Sequence, residues 1–133
     1  GILVSKVINI KQNEGKNFAI IDAGMNDLIR PALYSSWQQI TEVAKTEVDT
    51  KKYDVVGPIC ETGDFLGKNR VLSLAPDDIV AIHSAGAYGF VMSSNYNSRN
   101  KPAEVIVSGS KAHCVRSRET IDDQLKLERK FPI

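Results

Sequence analysis

Cysteine is scarce in this sequence, since the 133 residues contain only Cys60 and Cys114. Two cysteines cannot form the network of disulfides that supports small secreted domains. Their spacing also lacks the Cys-x-x-Cys pairing that is typical of zinc sites. The sequence therefore predicts no metal site and two reduced thiols, which is typical of a cytoplasmic protein.

An excess of charge of one sign and long apolar runs are also lacking. Seventeen basic residues balance sixteen acidic ones, which leaves a formal net charge of +1. Proteins that bind nucleic acid or anionic membranes usually carry a basic excess. No apolar run approaches the roughly 20 residues of a membrane-spanning helix. We therefore expect neither a nucleic acid nor a membrane as a partner.

The first residues, Gly1-Ile2-Leu3-Val4, include no initiator methionine and no basic segment before an apolar one. They do not have the pattern of a secretory signal peptide. They are typical of the interior of a longer polypeptide. The length of 133 residues is nevertheless enough for one domain with its own hydrophobic core.

Short stretches rich in β-branched residues, separated by turn-forming residues, predict a mainly β protein. Strands are predicted at residues 4–11, 18–22, 37–43, 53–56, 71–74, 79–83, 104–107 and 111–116. Residues 46–52 are predicted as a charged connection and residues 64–70 as a polar turn. A short amphipathic helix is predicted at 119–129, capped by Thr120 or Ser117. Many short strands with few helices favour a β-sandwich or barrel.

The most informative stretch follows the fourth predicted strand, where Gly57 and Pro58 interrupt the β pattern before Cys60 and Glu61. Loops held by rigid strands often carry binding and catalytic groups, and the nearby glycines permit a tight turn. Cysteine more often packs as a small hydrophobic residue, and the spacing alone leaves both interpretations open. Cys114 falls within a predicted strand, so we expect it to be a structural cysteine.

Arg30 and Tyr34 flank a proline-containing segment. Pro31 disfavours the α conformation at Arg30 but suits the first turn of a helix. A helical turn over residues 31–34 would put Arg30 and Tyr34 on one side, where a guanidinium and a phenol could bind a carboxylate. A surface arginine with a tyrosine packed in the core is the commoner alternative, and the pattern does not exclude it.

Tyr88 lies between Gly86 and Gly89 in a segment of small residues. Such a segment lets a flat ligand or a phosphate approach the backbone and the phenol. A structural turn with a packed tyrosine explains the same pattern equally well.

Three segments together resemble the C-terminal domain of the diaminopimelate decarboxylases, which are fold-type III pyridoxal-phosphate enzymes. They are residues 22–34, residues 57–64, and residues 86–89 running on to 94–97. The segments occur in the family's order and at about its spacing, and the resemblance covers nearly the whole chain. It implies a β-sandwich or Greek-key barrel domain of the alanine racemase-like type, with a few short helices, over residues 1–133.

The resemblance implies the decarboxylation of meso-diaminopimelate to L-lysine and carbon dioxide, the last step of lysine biosynthesis. Members of the family join such a domain to an N-terminal (β/α)8 barrel, which holds pyridoxal phosphate on a Schiff-base lysine. Their active sites form at a homodimer interface. Because that barrel and its lysine lie outside this chain, we expect the 133 residues alone to be inactive.

The resemblance also implies roles for five residues. Cys60 would donate a proton after carbon dioxide departs, and Glu61 would hold the distal amino group of the substrate. Arg30 and Tyr34 would bind a substrate carboxylate, while Tyr88 would contact both cofactor and substrate. Ornithine and arginine decarboxylases of this fold generally carry Cys-Asp in the same loop, so Glu61 favours diaminopimelate. Those decarboxylases, or a stand-alone β module without catalysis, are the alternatives.

Overall fold

The computed structural model describes residues 1–44 and 47–132. The predicted charged connection at 46–52 begins at a residue outside the described part. Backbone contacts group the chain into two compact units, the first of which is Gly1–Ser93, and the second begins at Ser94. The chain is mainly β with a few short helices, as predicted. No helix in the described residues is long and apolar enough to cross a membrane.

The first unit contains a six-stranded sheet in the order β3-β6-β1-β2-β4-β5. The strands are β1 (Leu3–Asn13), β2 (Lys16–Ile21), β3 (Ile40–Glu42), β4 (Lys51–Val56), β5 (Phe65–Leu72) and β6 (Ile79–Ile82). Helix α1 (Arg30–Tyr34) follows β2, and a 3-10 turn lies at Phe90–Met92. The edge strands β3 and β5 contact each other, so the sheet is close to a closed barrel.

Strands β1 and β2 form the predicted antiparallel hairpin. The two residues between them, Glu14 and Gly15, have positive φ angles of 47° and 80°. This backbone suits a two-residue turn between strands that twist in the right-handed sense. Within β1 the buried Ser5 and Val7 lie on either side of the exposed Lys6, whereas Ile8, which was predicted to alternate with Asn9 on a buried face, is 48% exposed.

The interior of the first unit is filled by aliphatic side chains from the strands. Full burial of one such side chain stabilises the fold by roughly 1.5–3 kcal/mol. The residues with the least exposure are Val7, Ala19, Ile21, Val55, Leu66, Val80 and Ile82. Leu28, from the segment between β2 and α1, is 1% exposed and fixes that segment to the same core.

The prediction of a polar turn at residues 64–70 is wrong, because most of this segment belongs to β5. The register between β4 and β5 is irregular, and Asn69 has a positive φ of 55°. The Asp54 carboxylate accepts the Asn69 N–H at 2.8 Å and stabilises the irregularity. A bulge interrupts the regular alternation of side chains between the two faces of the sheet, so Lys68 and Asn69 are both exposed. The resulting run of polar residues does not show the sequence pattern of a strand.

The third strand is shorter than the predicted segment 37–43. Trp37 is 72% exposed and does not extend β3. Its ring instead lies against the guanidinium of Arg70, with Cζ 4.4 Å from the ring centroid. Arg70 is buried, and this burial lowers the pKa of its guanidinium.

The second unit contains the predicted hairpin of β7 (Glu104–Ser108) and β8 (Lys111–Arg116), together with a 3-10 turn at Tyr96–Ser98. Every residue of β8 is exposed. Cys114 is therefore exposed too, and the expectation of a structural cysteine packed in the strand is wrong. The sequence predicted this strand as half of a hairpin, but it could not show that all of its residues are exposed.

Helix α2 (Ile121–Leu125) lies within the predicted segment 119–129 but is shorter. Thr120 caps it, as predicted. The Thr120 hydroxyl accepts the Asp123 N–H at 3.2 Å, and the Asp123 carboxylate accepts the Thr120 N–H at 2.9 Å. This reciprocal pair satisfies two backbone donors at the start of the helix.

Candidate functional site

The three segments that carry the predicted site residues all leave the sheet on the side where their strands end. We call this side the site edge, as distinct from the edge strands β3 and β5. Strands β2 and β4 are parallel neighbours. Strand β1 lies between β2 and β6 and runs antiparallel to both. Strands β2, β4 and β6 therefore point in the same direction, and the segments with Arg30, Cys60 and Tyr88 follow their carboxyl ends.

The segment between β2 and α1 is held by carboxylates that accept hydrogen bonds. Asp22 Oδ1 accepts the Ser5 hydroxyl at 2.5 Å and the Lys6 N–H at 2.8 Å. Asp27 Oδ2 accepts the Gly24 N–H at 2.8 Å. Charge-assisted bonds of this kind are stronger than neutral ones, so they fix the position from which α1 begins.

Helix α1 is the helical turn predicted for residues 31–34, and it begins one residue earlier, at Arg30. Pro31 lies in its first turn and is buried. Ser35, with a left-handed φ of 53°, ends the helix and donates its N–H to the Arg30 carbonyl. Tyr34 is 61% exposed, which excludes the alternative of a tyrosine packed in the core.

The Arg30 guanidinium lies over the Tyr88 ring, with Cζ 5.6 Å from the centroid. This distance is within the range of a cation–π contact. Arg30 Nε is buried, and within the described residues it has no hydrogen-bond partner. An unmet buried donor costs roughly 1–3 kcal/mol.

A tight turn of small residues presents Tyr88 to solvent. Tyr88 has a left-handed φ of 58° and is 62% exposed, so it is not a packed core tyrosine. Gly89 donates its N–H to the Gly86 carbonyl at 3.3 Å. A Cβ at Gly89 would collide with the carbonyl oxygen of Ala85 and would lie 3.1 Å from its carbonyl carbon. Glycine is therefore required for the turn to close.

Cys60 and Glu61 lie in the loop between β4 and β5, which Asp64 closes. The Gly57 N–H donates to the Asp64 carbonyl at 3.0 Å, and the Asp64 N–H donates to the Glu61 carbonyl at 3.0 Å. The Cys60 thiol is free and exposed, so it is not a core cysteine. Glu61 is exposed beside it.

The Asp64 carboxylate links the cysteine loop to the segment that leads to Arg30. Asp64 is 4% exposed. Its Oδ2 accepts the Ile59 N–H at 2.7 Å, and its Oδ1 accepts the Met25 N–H at 2.7 Å. The sequence assigned no role to Asp64. The one sequence feature that could have indicated its role is Gly57, because a Cβ there would lie 2.7 Å from Asp64 Cγ.

The predicted site residues thus form two groups on the site edge of the sheet. Arg30 and Tyr34 share α1, and Arg30 contacts Tyr88. Cys60 and Glu61 share the second group. Within residues 1–44 and 47–132, Cys60 and Arg30 have no hydrogen bond to each other, and Asp64 joins the loop with Cys60 to the segment that precedes Arg30.

The sequence matches the family model of the pyridoxal-dependent decarboxylase C-terminal sheet domain over residues 1–86. It is 54% identical over 132 residues to diaminopimelate decarboxylase from Pseudomonas fluorescens, covering 99% of this chain and 32% of that protein. It is 57% identical over 129 residues to diaminopimelate decarboxylase from Haemophilus influenzae, covering 96% of this chain and 31% of that protein.

Among solved structures, diaminopimelate decarboxylase from Helicobacter pylori complexed with L-lysine is similar, with a TM-score of 0.87 and 41% sequence identity. The alignment covers 95% of this chain and 31% of that chain. The chain therefore spans about a third of the length of the relatives it matches. Since the family match covers residues 1–86, which include the segments with Arg30 and Cys60, the chain belongs to the pyridoxal-dependent decarboxylases and carries their C-terminal sheet domain.

Proposed function

We propose that this chain supplies one wall of the active site of a diaminopimelate decarboxylase, which converts meso-diaminopimelate to L-lysine and carbon dioxide. The supporting observation is the contact of Arg30 with the exposed Tyr88, on the same site edge as the exposed Cys60 and Glu61. Relatives at 54% and 57% identity are diaminopimelate decarboxylases, and a similar solved structure is complexed with L-lysine.

Pyridoxal phosphate fits the groups at this edge as one side of its site. The exposed Tyr88 ring stands on a turn of small residues that a flat ring can approach, and Arg30 Nε has no acceptor among the described residues. When bound, pyridoxal phosphate accepts the electron pair left on the substrate carbon as carbon dioxide departs. Tyr88 contacts the cofactor and substrate, while the Schiff-base lysine belongs to polypeptide outside these 133 residues.

Cys60 is the proposed proton donor. The bond between the substrate carbon and its carboxylate breaks, carbon dioxide leaves, and the thiol S–H gives its proton to the same carbon. The thiolate then recovers a proton from water. An exposed thiol on a held loop can reach a ligand bound by other polypeptide, which general acid catalysis requires.

The remaining residues recognise the far end of the substrate. Arg30 and Tyr34 bind its carboxylate, because a guanidinium offers two parallel donors and a phenol adds a third. Glu61 holds the distal amino group in its protonated form through a charge-assisted hydrogen bond. Together these groups favour a substrate with a carboxylate and an amino group at its distal carbon.

The complete protein, on this proposal, joins a (β/α)8 barrel to this chain and forms a homodimer with shared sites in the cytoplasm. The relatives are about three times as long as this chain, which leaves room for a barrel. Apolar side chains are exposed on the site segments, including Leu33 at 56% and Val91 at 77%. Exposed apolar clusters are typical of interfaces, and two free thiols suit a reducing compartment.

The test is an assay of the complete gene product with pyridoxal phosphate, which compares lysine formation from meso-diaminopimelate with decarboxylation of ornithine and arginine. We expect clear preference for diaminopimelate and no turnover by the 133 residues alone. Preference for ornithine or arginine would instead indicate an ornithine or arginine decarboxylase of the same fold. A reading frame that begins near Gly1 and encodes no barrel would favour a stand-alone binding module.

A further inference from the structure

Asp64 organises the cysteine loop through both its backbone and its side chain. Its carbonyl accepts the Gly57 N–H at 3.0 Å, and its N–H donates to the Glu61 carbonyl at 3.0 Å. Its carboxylate Oδ2 accepts the Ile59 N–H at 2.7 Å. The peptide groups on both sides of the Cys60–Glu61 pair are therefore bound to one residue.

The second carboxylate oxygen of Asp64 bonds outside the loop. Asp64 Oδ1 accepts the Met25 N–H at 2.7 Å. Met25 lies in the segment that Asp27 and the buried Leu28 fix in place before α1. One buried carboxylate thus links two segments. Its Oδ2 bonds to the loop with Cys60, and its Oδ1 bonds to the segment that precedes Arg30.

The surroundings of this carboxylate leave it little freedom. Asp64 is 4% exposed, and a Cβ at Gly57 would lie 2.7 Å from its Cγ. On the other side, a Cβ at Gly24 would lie 3.2 Å from Asp64 Oδ1. The backbones of both loops therefore approach the carboxylate closely, and an oxygen cannot move without losing its amide donor.

We infer that Asp64 is a positioning residue, which sets the distance between the Cys60–Glu61 pair and the Arg30 segment. This inference rests on the proposed function for its catalytic consequence. A displacement of about 1 Å in a catalytic group can lower a rate about a hundredfold. Asp64 touches neither substrate nor cofactor on this proposal and acts through the backbone of the two loops.

The direct test is Asp64→Asn in the complete gene product. Asparagine has one acceptor oxygen, so one of the two amides, Ile59 or Met25, would face an NH2 group instead of an oxygen. We expect kcat per bound cofactor to fall about 10- to 100-fold. The matched control is Asp78→Asn, because Asp78 also accepts a backbone N–H at 2.7 Å, from Ala75, in the turn at the opposite end of β6. It should leave kcat unchanged.

Two further measurements do not depend on decarboxylase activity. Peptide-resolved alkylation by iodoacetamide reports the surroundings of Cys60, and hydrogen exchange reports the Ile59 and Met25 amides. In Asp64→Asn we expect a changed alkylation rate at Cys60 and about tenfold faster exchange at one of the two amides. A purely structural role would lower the melting temperature while leaving kcat per bound cofactor and Cys60 alkylation as in the wild type.

Gly57→Ala is a second variant that disturbs the same carboxylate from the other side. Its new methyl group must displace the Asp64 side chain, so it should reproduce the loss of kcat and the changed alkylation. Unchanged alkylation and amide exchange in both folded variants would overturn the inference. If the wild-type gene product does not decarboxylate diaminopimelate, the proposed function fails, whereas the exchange and alkylation results still decide the role of Asp64.

Discussion

The guanidinium of Arg30 lies over the ring of Tyr88, 5.6 Å from its centroid, although Arg30 begins α1 and Tyr88 lies in the turn after β6. The contact holds a planar cation beside a phenol at the surface. Arg30→Lys keeps the positive charge but loses the planar fork and the buried Nε. We expect the KM for diaminopimelate to rise about tenfold or more, with a smaller change in kcat.

Steady-state kinetics of the complete gene product measure this effect. The control is Arg118→Lys, since Arg118 is exposed and belongs to the second unit. An equal KM in wild type and Arg30→Lys would remove Arg30 from carboxylate binding.

The two cysteines offer a matched pair for the proton-transfer proposal, because both are free and exposed. Cys60→Ala should lower turnover about 100-fold or more, since general acid catalysis contributes roughly 10²–10⁴-fold. Cofactor binding, followed by absorbance titration, should stay nearly unchanged. Cys114→Ala should retain wild-type turnover. A Cys60→Ala enzyme with an undiminished rate would exclude the thiol as proton donor.

Gly67 on β5 allows the two edge strands of the sheet to approach each other. A Cβ there would lie 2.5 Å from Arg70 Nε and 2.9 Å from Ile40 Cδ1 on β3. Gly67→Ala should therefore lower the free energy of unfolding by about 1–3 kcal/mol, as overpacking does in other cores. Urea unfolding measures the change. Gly63→Ala is the control, because its Cβ would meet nothing closer than 3.9 Å.

The start of α2 should depend on pH. The Thr120 hydroxyl donates to the Asp123 carboxylate at 2.7 Å, and together with the Thr120 N–H it lowers the pKa of Asp123. Because the pKa is lower in the folded chain than in the unfolded chain, the stabilisation is present above the ordinary carboxyl range. It is lost as the pH falls through the folded pKa, which lies below the ordinary value of an aspartate.

Hydrogen exchange of the α2 amides across this pH range tests the dependence, and a carboxyl NMR titration reports the pKa directly. Thr120→Ala should return the pKa of Asp123 towards its ordinary value. Thr50→Ala removes a hydroxyl that contacts Ser73 instead and should leave that pKa unchanged. A pKa of Asp123 that does not respond to Thr120→Ala would contradict the assignment.

The sequence predicted most strands because short runs rich in β-branched residues are separated by turn-forming residues. It also predicted the helical turn at Pro31 and the Thr120 cap, where the local backbone chemistry decides the structure. It predicted a strand at 71–74, which includes only the last two residues of β5, because the irregularity at Asn69 places two successive side chains in solvent. A pattern with period two cannot represent such a shift.

The candidate site could be predicted only in part. The sequence predicted site roles for residues with reactive or charged side chains, but it assigned none to Asp64, which joins the segments that carry them. Its role depends on contacts with Ile59 and Met25, and the contact with Met25 forms only when β2 and β4 lie side by side. The spacing of residues along the sequence therefore indicates reactive side chains more readily than it indicates the residues that hold them in position.

Strands β2, β4 and β6 run in the same direction, so the segments with the predicted site residues lie beyond the ends of the strands and outside the core of the sheet. Their register depends on interior side chains such as Ile21, Val55 and Val80, none of which contributes to the exposed groups. Replacing these segments with those of a paralogue could therefore change the substrate preference without changes in the sheet. A graft of residues 57–64 would have to include its own aspartate and glycine, because Gly57 leaves the space that the Asp64 carboxylate fills.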